Sequence, residues 1–185
     1  MERIDIPVGD LTLTFKVTIE RDDDIPAPWD YSDGHGPVSD WTSRDKRPGE
    51  VILNQDRGSK LYYDWAEATR IAKRDGWGVS PTDIKAFELK YGVAPTRNQI
   101  VQMAVQKNFD YLKGWVDDEW HYHWVKVTLL DEEGDETDID DSLGGIDDEE
   151  IAREEAMSMA KGIAEAKGVS WDVVTVQTYR KLEQA

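Results

Sequence analysis

The chain has 185 residues, with 39 Asp and Glu against 22 Lys and Arg, three His and no Cys. A length of 185 can bury a core, and 39% hydrophobic residues with eight Trp and seven Tyr exclude a wholly disordered acidic tail. The lack of Cys removes disulfides, thiolate metal sites and Cys nucleophiles together. No apolar run approaches the roughly 20 residues of a membrane span.

Met1 to Val8 alternates charged and apolar residues without the apolar core of a signal peptide, so the expectation is a cytoplasmic protein. Residues 2–20 read as a β-hairpin. Ile4, Ile6 and Val8 alternate with polar residues, Gly9-Asp10 supplies the turn, and Leu11, Leu13, Phe15, Val17 and Ile19 alternate again. Residues 21–49 carry four Pro, paired glycines around His35, and Trp29, Tyr31 and Trp41, the pattern of a long loop anchored by aromatic rings. Glu50 to Asn54 is a short strand.

Three helices with end signals follow. Asp64 with Glu67 resembles a capping box ahead of the apolar stripe Trp65, Ala68, Ile71 and Ala72, which stops at Gly76. Ser80-Pro81 opens a helix through Ile84, Phe87 and Leu89 that ends at Gly92. Thr96 with Gln99 opens a third, whose broad apolar face runs from Ile100 to Trp115. All three are expected in the core. Trp120 to Leu130 is a strand covered on both faces, with a return strand near Thr137 to Ile139 and a loop from Ser142 to Ile146. Asp147 or Asp148 caps an acidic-fronted helix that ends at Lys167-Gly168, and Trp171 to Thr178 reads as a final strand. The expected fold is α+β, an antiparallel sheet with three to four helices packed on it, in one domain spanning residues 1–185.

The charge is local. Residues 117–155 carry 17 acids against Lys126 and Arg153, whereas the remaining 146 residues carry 22 acids against 20 bases. Such a field repels nucleic acid and anionic membranes, and it attracts basic protein surfaces or divalent cations. Asp131, Glu132, Glu133, Asp135, Glu136, Asp138, Asp140 and Asp141 fall on the hairpin, and Asp147, Asp148, Glu149 and Glu150 on the start of the helix. A fixed carboxylate array of this kind can imitate duplex phosphates, which recur about every 3.4 Å along a strand. The same residues also serve as a solvated face. An EF-hand is excluded, because neither Gly134 nor Gly144 has the ligand frame around it.

Two further sites are considered. His121 and His123 share a strand face, and His35 offers a third zinc ligand with a position left open for a hydrolytic water; half-buried packing at a strand end is the simpler account of the pair. Trp29, Tyr31 and Trp41 are residue types that anchor interfaces, or that pin a loop to its own core. No phosphate loop, nucleophile elbow, dinucleotide fingerprint or H-E-x-x-H motif is present, so neither a cofactor nor an enzymatic activity is expected.

Asp33-Gly34-His35-Gly36-Pro37, the Leu61 to Ala68 helix with its Arg74-Asp75-Gly76-Trp77-Gly78 end, and Trp120 through Asp131 with Ser142 to Ile146 carry a resemblance. Over residues 30–165 the chain resembles a group of small acidic proteins of tailed phages and prophages. The resemblance implies a bacterial cytoplasm during infection and brings no activity or catalytic residue with it. In size and charge the chain is also similar to anti-restriction DNA mimics, without their sequence motifs. The resulting expectation is an inhibitor that presents the acidic face to a basic, nucleic-acid-handling host enzyme of the restriction, CRISPR or nuclease type. The alternatives are a metal-dependent hydrolase built on His35, His121 and His123, and an assembly module whose aromatic loop is the interface.

Overall fold

The computed structural model describes residues 2–8, 11–167 and 180–181. The Gly9-Asp10 turn and the strand expected at Trp171 to Thr178 lie outside the described residues. The fold is α+β, and the chain divides into two compact units, Met1–Ile25 with Trp120–Ala185, and Pro26–Glu119.

The first unit is built on an antiparallel sheet. Strand β1 (Glu2–Val8) pairs with β2 (Leu11–Arg21), which pairs with β5 (His123–Leu130), which pairs with β6 (Glu136–Ile146). Arg180–Lys181 (β7) pairs with the other side of β1, so among the described residues β6 is an edge strand. Alternation explains the layering: Ile4, Ile6, Phe15, Val17, Val125, Val127 and Leu129 form one buried face. Helix α5 (Glu149–Ala166) covers that face with Ala152, Ala156, Ala160 and Ala164, a stripe at i+4 spacing small enough for close approach to the sheet. Asp148 caps α5 by accepting from the Glu150 and Ile151 amides, as its sequence position predicts.

The second unit holds α1 (Pro28–Tyr31), the hairpin β3 (Glu50–Asp56) and β4 (Ser59–Asp64), and the helices α2 (Trp65–Asp75), α3 (Pro81–Tyr91) and α4 (Arg97–Val116). The caps Asp64, Ser80 and Thr96 accept from the amides three residues on, and Gly76 and Gly92 close their helices in the left-handed region. The core joins Leu53, Leu61, Tyr63, Ala68, Ala72, Val101, Val105 and Leu112.

Three expectations are corrected. Leu61 to Asp64 is strand rather than helix: Arg57 and Gly58 both take positive φ, as a two-residue hairpin turn requires, and Leu61, Tyr62 and Tyr63 are all buried. Ser142 to Ile146 is not a loop but the end of β6, kept in the ladder by a bulge opposite His123 and Val125. Helix α3 is not a core helix, since none of its residues is buried; Asp83, 2.6 Å from Lys107, ties it to α4. Among the described residues α5 is the helix that packs on the large sheet, while α1, α2 and α4 gather around β3 or one another.

Candidate functional site

All twelve hairpin and helix carboxylates singled out above are exposed. Their frame is fixed by short-range bonds. The Asp131 and Asp135 backbones are 3.0 Å apart, the Asp135 amide donates to Asp131 Oδ1 at 2.8 Å, and Gly134 takes a φ of 90°. Glu136 and Asp140, opposite Leu130 and Thr128, lie on the face away from α5 on either side of an irregularity in the β5–β6 ladder, and Asp138 is exposed within it. Part of this charge is neutralised within the sheet. Lys16 pairs with Glu136 and holds its carboxyl below the usual range, and Lys126 sits 2.7 Å from Asp140, which raises the lysine. Glu149 pairs with Arg153 at the start of α5. Among the described residues the carboxylates of Glu132, Glu133, Asp135, Asp138 and Glu150 have no hydrogen-bond or ion-pair partner.

The histidines separate. His121 and His123 are half-buried in the first unit with ring centroids 4.6 Å apart, and His123 Nδ1 donates to the Ile146 carbonyl at 3.3 Å. His35 belongs to the second unit and stacks on Tyr111. Its Nε2 lies 3.2 Å from Ser32 Oγ and its Nδ1 lies 2.8 Å from Asn108 Nδ2. Both ring nitrogens are therefore engaged within that unit. Among the described residues no group of three or more His, Asp or Glu side chains is arranged to hold a metal ion.

Ser32, His35 and Asn108 stand in the order nucleophile, base and orienter, and the donor pattern decides what they can do. Asn108 Oδ1 accepts from both the Gly36 amide and Tyr63 Oη, each at 2.9 Å. An amide N–H has no other role, so the oxygen faces Gly36 and the NH2 group faces His35. Neutral His35 must then accept at Nδ1 and carry its proton on Nε2, pointing at Ser32. A general base for Ser32 needs the opposite tautomer. The cluster anchors a loop and is not a catalytic triad. Burial lowers the pKa of His35, and burial with the Asp64 charge raises that of Tyr63, so both stay neutral.

The aromatic loop is divided in the same way. Trp29 is half-buried, edge-on to Trp115 at 5.4 Å, and so pins the loop, whereas Tyr31 and Trp41 keep 45% and 50% of their surface exposed. Glu50, buried at the base of the loop, takes two 2.7 Å bonds from Arg44 and one from the Arg47 amide, which hold its carboxyl at about 2. Asn108, Tyr63 and Arg44 did not emerge from the sequence. A signal for Asn108 exists: it interrupts the apolar stripe of α4 between Ala104, Val105 and Leu112.

Compared with protein-family models, curated proteins and solved structures, the chain matches none.

Proposed function

We propose that the protein binds a basic, nucleic-acid-handling bacterial protein through the carboxylates of the β5–β6 hairpin and the start of α5, competing there with nucleic acid. The observation that carries this reading is the set of partnerless, exposed carboxylates on a hydrogen-bonded frame, Glu132, Glu133 and Asp135 at the turn, Asp138 on β6 and Glu150 on α5. Carboxylates not committed internally are free to make charge-assisted pairs with Arg and Lys. Carboxylates gathered along the hairpin offer a Lys- and Arg-rich groove a row of negative charge in the place of phosphates. Each exposed carboxylate gives up hydration when it pairs, a cost that the charge-assisted bonds offset, and the release of counterions from the partner's basic groove makes the affinity fall with salt.

The test separates free from committed charge. Glu132→Gln, Glu133→Gln, Asp135→Asn, Asp138→Asn and Glu150→Gln together leave the Lys16, Lys126 and Arg153 pairs in place. This variant should melt with the wild type, retain no such partner from a bacterial lysate, and leave nothing for duplex DNA to displace. Retention equal to that of the wild type would contradict the proposal. Restriction enzymes, CRISPR effectors and nuclease complexes are the target classes this chemistry fits.

A further inference from the structure

We infer that the cavity between the end of α2 and the start of α4 is a binding site for a small aromatic carboxylate. The cavity measures about 410 Å³, within the range of small-molecule sites. Its apolar wall comes from Ala72 and Val101, both buried, with Ile100 beside them. Trp77 lines it too, brought there by the left-handed Gly76 that ends α2 and by the Trp77 amide donating back to the Ala72 carbonyl at 2.9 Å.

Two features at the rim point to an anion. Arg97, in the first turn of α4, lines the cavity, and its guanidinium makes no ion pair among the described residues. The indole N–H of Trp77 likewise meets no acceptor among the described residues. A guanidinium pairs with a carboxylate through two parallel bonds, and an indole and aliphatic floor accept the face of a ring. Arg97 is the one charged residue of the lining, so the fitting ligand carries one negative charge on a flat apolar body.

Gly78 also lines the cavity, and a Cβ built on it would meet no atom within 4 Å, so a larger side chain there projects into open space at the cavity.

The probes are 1-naphthoate and its neutral counterpart 1-naphthamide, titrated into the full chain. The readouts are calorimetry and the indole N–H signal of Trp77, assigned through Trp77→Phe. The expected result is a saturable shift of that signal with 1-naphthoate. Arg97→Gln should weaken 1-naphthoate about tenfold while changing 1-naphthamide little, and Gly78→Val should weaken both. Since Arg97 is exposed, its replacement leaves the fold intact and keeps the test decisive. A Trp77 signal that does not saturate at millimolar probe, or equal 1-naphthoate affinity in Arg97→Gln and wild type, would overturn the inference.

Discussion

Asn108 sets the tautomer of His35: with Asn108 Oδ1 occupied by the Gly36 amide and Tyr63 Oη, its NH2 group faces His35 Nδ1 at 2.8 Å. A protonated ring would put N–H against N–H. Geometry and burial therefore both oppose the charged form, and the His35 pKa lies below 6.5. Between the folded value and 6.5 the unfolded chain binds a proton that the folded chain does not, so the stability is present above 6.5 and lost as pH falls. Asn108→Asp places an acceptor oxygen opposite Nδ1, favours the imidazolium and raises the pKa. The His35 contribution in that variant should be present at low pH and lost as pH rises. Denaturant unfolding across this range, with an NMR titration of His35, checks it; an unchanged sign in Asn108→Asp would refute the tautomer argument.

Glu50 contributes to the acid limb beside Asp83, whose carboxyl Lys107 and Ser80 also lower to about 2. Its carboxyl titrates at about 2 in the folded chain against an ordinary 4.5, so its contribution is present above 4.5 and lost as pH falls towards 2. Glu50→Gln should cost about 2 kcal/mol at neutral pH and flatten the acid limb of the stability profile. Chemical unfolding of the two proteins at neutral and acidic pH measures both effects.

Close approach makes Gly36 sensitive. A Cβ on Gly36 would lie 2.4 Å from Tyr63 Oη and 2.6 Å from the ring, and Tyr63 is fully buried. Gly36→Ala should destabilise by about 1–3 kcal/mol and disturb the Asn108 bonds. Gly162→Ala is the control, because a Cβ there would meet no atom within 4 Å. Thermal melts should show a larger loss for Gly36→Ala.

Among the described residues β6 is paired on one side only, and its charges guard that edge, since a strand 11 residues long with one open side is a template for pairing with another copy. Replacing Asp138 and Asp140 with Val should yield concentration-dependent self-association, read by light scattering. The amide variants, which keep polar side chains, should remain dispersed more readily.

Legibility followed chemistry that is local in sequence. The Asp64, Ser80, Thr96 and Asp148 caps and the β1–β2 alternation depend on residues within one turn or one hairpin, and all appear as the sequence predicts. Strand β4 was hidden because Leu61, Tyr62 and Tyr63 are buried together, leaving no period of two, and Arg57-Gly58 is a weak turn signal. The last residues of β6 were hidden by Gly144-Gly145, whose place in the ladder depends on the distant Asp22 accepting from the Gly145 amide at 3.0 Å. Exposure of the acidic segment was readable from its composition. Which of its carboxylates are spent on Lys16, Lys126 and Arg153 was not, because those pairs depend on strand register and helix facing.

The most direct measurement of the central claim is capture from bacterial lysate at low salt on the immobilised protein, eluted along a salt gradient beside the five-site amide variant, with each fraction challenged by duplex DNA. The account predicts a basic, nucleic-acid-handling protein that the wild type retains, salt and DNA release, and the variant does not hold. Retention that survives high salt, is indifferent to DNA and is unchanged in the variant would contradict it.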